Sequence, residues 1–138
     1  MLRYPGLRIV SGSNEPVIAS NEKLADGARV EDLLGGKVSI EAFETPCHTA
    51  AHNMFIMRVV AGAAANDGVD TMIFTGDCLF EGGVGMFFEG VPTQMYEILN
   101  RLFTEKIREE ERQRCALFFG HDYGWKNYLW ASEHLLKA

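Results

Sequence analysis

Three short segments carry side chains that could hold a metal ion. "TPCHTAAH" (45–52) places His48 in a loop opened by Pro46 and flanked by Thr45 and Thr49. "TGDCLF" (75–80) places Asp77 after a Thr-Gly step, and "GHDY" (120–123) places His121 before Asp122. Neutral imidazole and carboxylate are the ligands that Zn²⁺ and Fe²⁺ accept at hydrolytic centres. Each residue alone has an ordinary alternative. A loop histidine serves as polar surface, and an aspartate after Thr-Gly forms a turn. One histidine does not hold a metal, and the sequence has only 4, with no H-x-H or D-H pair among them.

The elements that must position these residues are short strands and two helices. Residues 7–10 and 16–20 read as short strands, and residues 38–44 alternate as a strand should. Residues 53–61 are β-branched and aromatic, the composition of a buried strand. The loop "GAAANDGVD" (62–70) closes a hairpin onto a strand at 71–76. A helix starts at Pro92, since proline suits the first helical position. Met95, Ile98, Leu99, Leu102 and Phe103 then follow helical spacing toward the core. "EKIREEERQR" reads as a solvated helix end or loop, with Ile107 alone on the apolar side. "CALFFG" (115–120) reads as a short buried strand. The last helix packs Trp125, Tyr128, Leu129, Leu135 and Leu136 into the core. The chain is therefore α/β, one mixed or antiparallel sheet with helices on one face. His48, Asp77 and His121 each follow a strand, so three strand ends can converge on one sheet edge, and loops on rigid strands are where sites are built.

Size and composition suit one globular domain: 138 residues, 47% hydrophobic and 23% charged. The net charge of −6 argues against nucleic acid and anionic membrane surfaces as partners. No apolar run reaches the roughly 20 residues of a membrane span. The 3 cysteines show no C-x-x-C spacing and read as reduced thiols. A cytoplasmic or mitochondrial-matrix location follows by default. "GGVG" (82–85) is no phosphate loop, because neither a lysine nor a following helix accompanies it.

In combination, "TPCHTAAH" (45–52), "IFTGDCLFEGGVGMFFEG" (73–90) and "FFGHDY" (118–123) resemble the metallo-β-lactamase superfamily, and within it glyoxalase II, the hydroxyacylglutathione hydrolases. "YPGL" (4–7) and "NYLWASEHL" (127–135) add to the likeness. The resemblance implies an αββα sandwich and two metal ions, zinc or iron, held by five histidines and two aspartates. It implies that His48 binds one metal, that His121 binds the other, and that Asp77 bridges both as the catalytic carboxylate. Tyr123, Phe88 and Met86 fall where the family contacts its substrate. Met86 stands where a lysine is usual, Phe88 where a tyrosine is usual, Ala51 for a glycine and Cys78 for a threonine. The T-H-x-H-x-D-H motif that supplies the family's other ligands is absent from these residues. The expectation is thus one partial domain over 1–138, the second half of the catalytic domain, without the first half or the C-terminal helical domain.

Two classes of function follow. The first is a metal-dependent hydrolase of S-2-hydroxyacylglutathione or a related thiol ester, inactive as 138 residues alone and completed by self-association or a complementing partner. The second is a non-catalytic relative serving as a binding or regulatory module. A persulfide dioxygenase-like iron protein is a further alternative, favoured by "GHDY" over "GHEY". His52 is expected to be a hydrogen-bonded structural residue, Cys78 a buried inert thiol, and His134 surface or packing.

Overall fold

The computed structural model describes residues 4, 6–60 and 68–135. A small parallel pair, β1 (Val10–Gly12) and β2 (Glu22–Leu24), precedes the main sheet. That sheet has five strands in the order β3-β4-β5-β6-β9. They are β3 (Arg29–Leu33), β4 (Val38–Glu44), β5 (Asn53–Val59), β6 (Thr71–Gly76) and β9 (Cys115–Phe119). The hairpin β7 (Leu79–Phe80) and β8 (Gly83–Val84), then helix α1 (Pro92–Arg101), lie between β6 and β9. Helix α2 (Gly124–His134) follows.

Strand direction decides where the candidate residues fall. β5 is antiparallel to both β4 and β6, so β4 and β6 run the same way. β9 pairs parallel with β6. The carboxyl ends of β4, β6 and β9 therefore share one edge of the sheet. A parallel pair cannot be closed by a tight turn and needs a crossover. The β7–β8 hairpin and α1 provide it.

One face of the sheet is covered. Phe43 pairs with Met54 and Ile56 with Ile73, and all four are buried against Met95 and Ile98 of α1 and against Leu102 and Ile107. Full burial of each such side chain stabilises by roughly 1.5–3 kcal/mol. α1 starts as proline predicts, and the Gln94 side chain accepts the Val91 N–H at 2.9 Å. Its continuation widens into a π-helical turn, Leu102–Lys106, and a 3-10 helix, Glu109–Arg114. The wide turn delivers Lys106 to Glu41, a carboxylate on the covered face that is 4% exposed. Lys106 Nζ lies 2.7 Å from Glu41, Arg29 Nη2 2.7 Å and Arg58 Nη1 3.2 Å. Three cations thus enclose one buried anion.

The opposite face is mainly apolar, with Glu44 and Asn53 at its end, and is only partly covered. Register aligns Ile40, Met57, Met72 and Ala116 in one row, and Ala42, Phe55, Phe74 and Phe118 in the next. Leu24 and Val30 bury Ala42 at one end, leaving a 170 Å³ apolar hollow lined by Val10, Val30, Leu33, Ile40 and Phe55. At the other end Phe74 and Phe118 stack with ring centroids 4.9 Å apart and stay exposed.

The mixed sheet with helices on one face agrees with expectation, and β4 spans the residues foreseen for it. Several local expectations are corrected. Residues 16–20 form a turn with Val17 and Ile18 exposed, and the strand comes later, at β2. Phe103 is exposed, because the π-turn rotates it off the core stripe. β9 is an edge strand with Leu117 and Phe118 exposed, not a buried one. Trp125, Tyr128, Leu129 and Leu135 of the last helical segment are exposed too, since α2 packs only its first turn on the β7–β8 hairpin. Leu136, Ala61 of the foreseen strand and residues 62–67 of the foreseen hairpin loop lie outside the described residues. Among the described residues no helix is long and apolar enough to cross a membrane.

Candidate metal centre

His48, Asp77 and His121 meet at the shared edge. His48 lies in the loop after β4, Asp77 directly follows β6, and His121 follows β9. His48 Nε2 stands 3.5 Å from Asp77 Oδ2, and His121 Nε2 stands 3.3 Å from the same oxygen. His48 Nδ1 lies 2.9 Å from the Met86 carbonyl oxygen. A carbonyl only accepts, so Nδ1 carries the proton and donates it. When neutral, the ring turns a bare Nε2 lone pair toward a carboxylate oxygen. Two acceptors facing each other are poor hydrogen-bond partners and good cation ligands. Donor atoms around a tetrahedral zinc at about 2.0–2.1 Å sit about 3.3 Å apart, the spacing seen at Asp77. A second ring nitrogen fixed on a backbone carbonyl is also the usual support of a metal-binding histidine. Imidazole and carboxylate are residue types that suit a metal ion. Among the described residues, however, no group of three or more His, Cys, Asp or Glu side chains is placed to hold a metal ion.

Glycines without side-chain chemistry shape this edge. A Cβ at Gly120 would overlap Asp77 Oδ1 and lie 3.0 Å from the Gly76 carbonyl carbon. Gly76 has φ +52, and a Cβ there would press within 2.8 Å of His52 Nε2. Sequence reading passed over both. Their only signal is a glycine beside each ligand candidate, in "TGD" and "GHD". The Met86 carbonyl was also missed, because a backbone group leaves no mark in residue type.

His52 stands apart from the three. Its Nδ1 shares a 2.7 Å hydrogen bond with Thr45 Oγ1. Burial holds its pKa below the ordinary imidazole value, His48 adds to that, and the Asp77 carboxylate pulls back. His134 is exposed and bonds the Trp130 carbonyl at 2.8 Å. Phe88 sets its ring edge to His48 at 5.0 Å. The Tyr123 ring lies 5.3 Å from those of His121 and Phe80. Met86 and Phe88 are both exposed beside the centre.

Cys47 and Cys78, chain neighbours of His48 and Asp77, are fully buried. Burial pushes the Cys78 thiol up to about 12 and raises Cys47 as well. The thiolate is the reactive form. Iodoacetamide is therefore expected to label the partly exposed Cys115 first, and the other two only once denaturant unfolds the chain. Intact-mass counting of adducts checks this; equal native labelling of all three would show the layer under the centre to be open.

No family model matches the chain. Among curated proteins it is 30% identical over 127 residues to a cytoplasmic hydroxyacylglutathione hydrolase of Arabidopsis thaliana, covering 92% of this chain and 44% of that one. It is 33% identical over 132 residues to a probable hydroxyacylglutathione hydrolase of Schizosaccharomyces pombe, covering 96% and 44%. The chain thus spans less than half the length of these relatives. Among solved structures, ETHE1 from Myxococcus xanthus superposes with a TM-score of 0.54 at 25% identity, over 83% of this chain and 42% of that one. A metallo-β-lactamase from Staphylococcus aureus superposes with a TM-score of 0.58 at 20% identity, over 86% and 34%. The fold is that of the metallo-β-lactamases. Within it, the sequence is glyoxalase II-like, similar to a part of the hydroxyacylglutathione hydrolases.

Proposed function

We propose that this chain carries one half of the metal centre of a glyoxalase II-type hydrolase, acting on S-2-hydroxyacylglutathione or a related thiol ester. The observation behind it is the pair of Nε2 atoms, from His48 and His121, set on the single oxygen Asp77 Oδ2. His48, Asp77 and His121 would hold the metal, with Asp77 shared between the two histidine sides. A bound zinc or iron lowers the pKa of water and polarises the thioester carbonyl.

The chain's own residues orient and surround that chemistry. The Met86 carbonyl keeps His48 in the tautomer that offers Nε2. Gly120 lets the Asp77 carboxylate lie against the backbone, and Gly76 makes room for His52. Tyr123, Phe88 and Met86 form the rim that a substrate meets. Catalytic zinc takes three protein ligands plus water, so these side chains alone serve two ions poorly. The reading supplies the remaining donors from a complementing segment, a partner or a second copy seated on the open apolar face, which needs cover.

Metal content after dialysis against trace chelator tests this. Weak binding of zinc or iron by the chain alone is expected, and its loss in His48→Ala and His121→Ala. Retention unchanged by both substitutions would overturn the assignment.

A further inference from the structure

A pocket of about 530 Å³ opens beside the candidate centre, lined by Glu81, Asp122, Gly124, Trp125, Tyr128 and Leu129. It is an open hollow on the surface rather than an enclosed cleft. Its position ties it to the metal residues. Asp122 directly follows His121, and Glu81 directly follows Phe80, whose ring centroid is 6.3 Å from that of His121. Trp125, Tyr128 and Leu129 sit three and four residues apart on α2, so they share one helix face. All three are exposed rather than packed in the core. Gly124 brings the acidic side closer: a Cβ there would overlap Glu81 Oε2.

The charge of the pocket is one-sided. Among the described residues its lining has two carboxylates and no cation. Lys126 stands nearby, with Nζ 5.8 Å from the Trp125 ring centroid. Six cations are paired elsewhere: Arg29, Arg58 and Lys106 on Glu41, Arg101 on Asp26, Arg8 on Glu22 and Asp32, Arg114 on Asp70. A carboxylate-bearing group entering here meets like charge, and like-charge contact costs several kcal/mol in general. An uncharged aryl or alkyl group meets Trp125, Tyr128 and Leu129 instead.

Resting on the thioester reading above, we infer that this pocket receives the non-reacting part of the substrate, and that this part is apolar and free of carboxylates. The structure thereby selects the related thiol ester over the glutathione one. Trp125 and Tyr128 form the apolar wall, while Glu81 and Asp122 reject anions.

Two non-hydrolysable thioethers with the same benzyl group isolate the charge: neutral S-benzyl-N-acetylcysteamine and anionic S-benzylglutathione. Titration of the full chain by amide and indole NMR needs neither turnover nor metal. The neutral ligand is expected to bind at least about tenfold tighter, with shifts at Trp125 and Tyr128, consistent with repulsion of the anion. Trp125→Ala should weaken it about tenfold, with the melting temperature showing the fold intact. Glu81→Gln with Asp122→Asn should raise the affinity for S-benzylglutathione several-fold, as lost repulsion predicts. Equal or tighter binding of S-benzylglutathione, shifts confined to other regions, or no binding of either ligand overturns the inference. Failure here with metal still retained through His48 and His121 overturns the pocket assignment alone. Failure of retention overturns the reading beneath it.

Discussion

Gly120→Ala is expected to weaken metal binding by about 10- to 100-fold, the usual effect of losing a group that only orients ligands. The added methyl overlaps Asp77 Oδ1 and crowds the Gly76 carbonyl carbon at 3.0 Å. The Gly76 carbonyl is backbone and cannot yield, so the carboxylate must. Asp77 must rotate away, and both histidine contacts run through that one carboxylate. Gly36→Ala is the matched control. Gly36 has φ +79, so alanine strains its turn, but a Cβ there meets nothing within 4 Å. Cobalt titration followed by visible absorbance compares the three proteins. Equal affinity in wild type and Gly120→Ala would remove Asp77 from the ligand set.

Glu41→Ala is expected to lower the unfolding free energy by about 3–5 kcal/mol, the typical result of removing one partner from a buried ion group. Arg29, Arg58 and Lys106 would be left facing one another with no anion between them. Urea unfolding measures the loss, and a change under about 1 kcal/mol would place the cluster among solvated surface pairs. The same carboxylate gives a pH signature. Burial raises its pKa, but the hydrogen bond and charge of Lys106, with those of Arg29, outweigh burial and hold it below the ordinary carboxylate value. A folded-state pKa below the unfolded one means stabilisation is complete above the ordinary value. It is lost as pH falls through the depressed folded value. Stability of the wild type should therefore fall in acid more steeply than that of Glu41→Gln.

The site was legible in the sequence to the extent that chemistry shows in residue type. His48, Asp77 and His121 each follow a strand, and parallel-running strands bring their ends to one edge. Residues 38–44 could be read as a strand because both faces impose alternation on them. The helix start at Pro92 is a local rule that tertiary packing does not disturb. Elsewhere packing overrode pattern. The aromatic run in "CALFFG" and the apolar stripe of α2 look like core, yet an edge strand and an outlying helix leave both exposed. Val17 and Ile18 have strand composition but no neighbouring strand to pair with, so they turn. The Glu41 cluster escaped notice because a glutamate within an alternating strand reads as solvent-facing. Only the π-turn, invisible in the charged run that encodes it, brings Lys106 to its side.

The parallel pairing of β6 with β9 has a kinetic consequence. Every other ladder of the main sheet joins strands close in sequence, whereas this one waits for the crossover and α1 to dock. Contacts distant along the chain form slowly, because loop closure must precede their reward. Asp77 and His121 stand at the two ends of that late contact. Refolding should therefore recover strand signal and helix packing before it recovers the pair, and a metal would bind only chains that have finished.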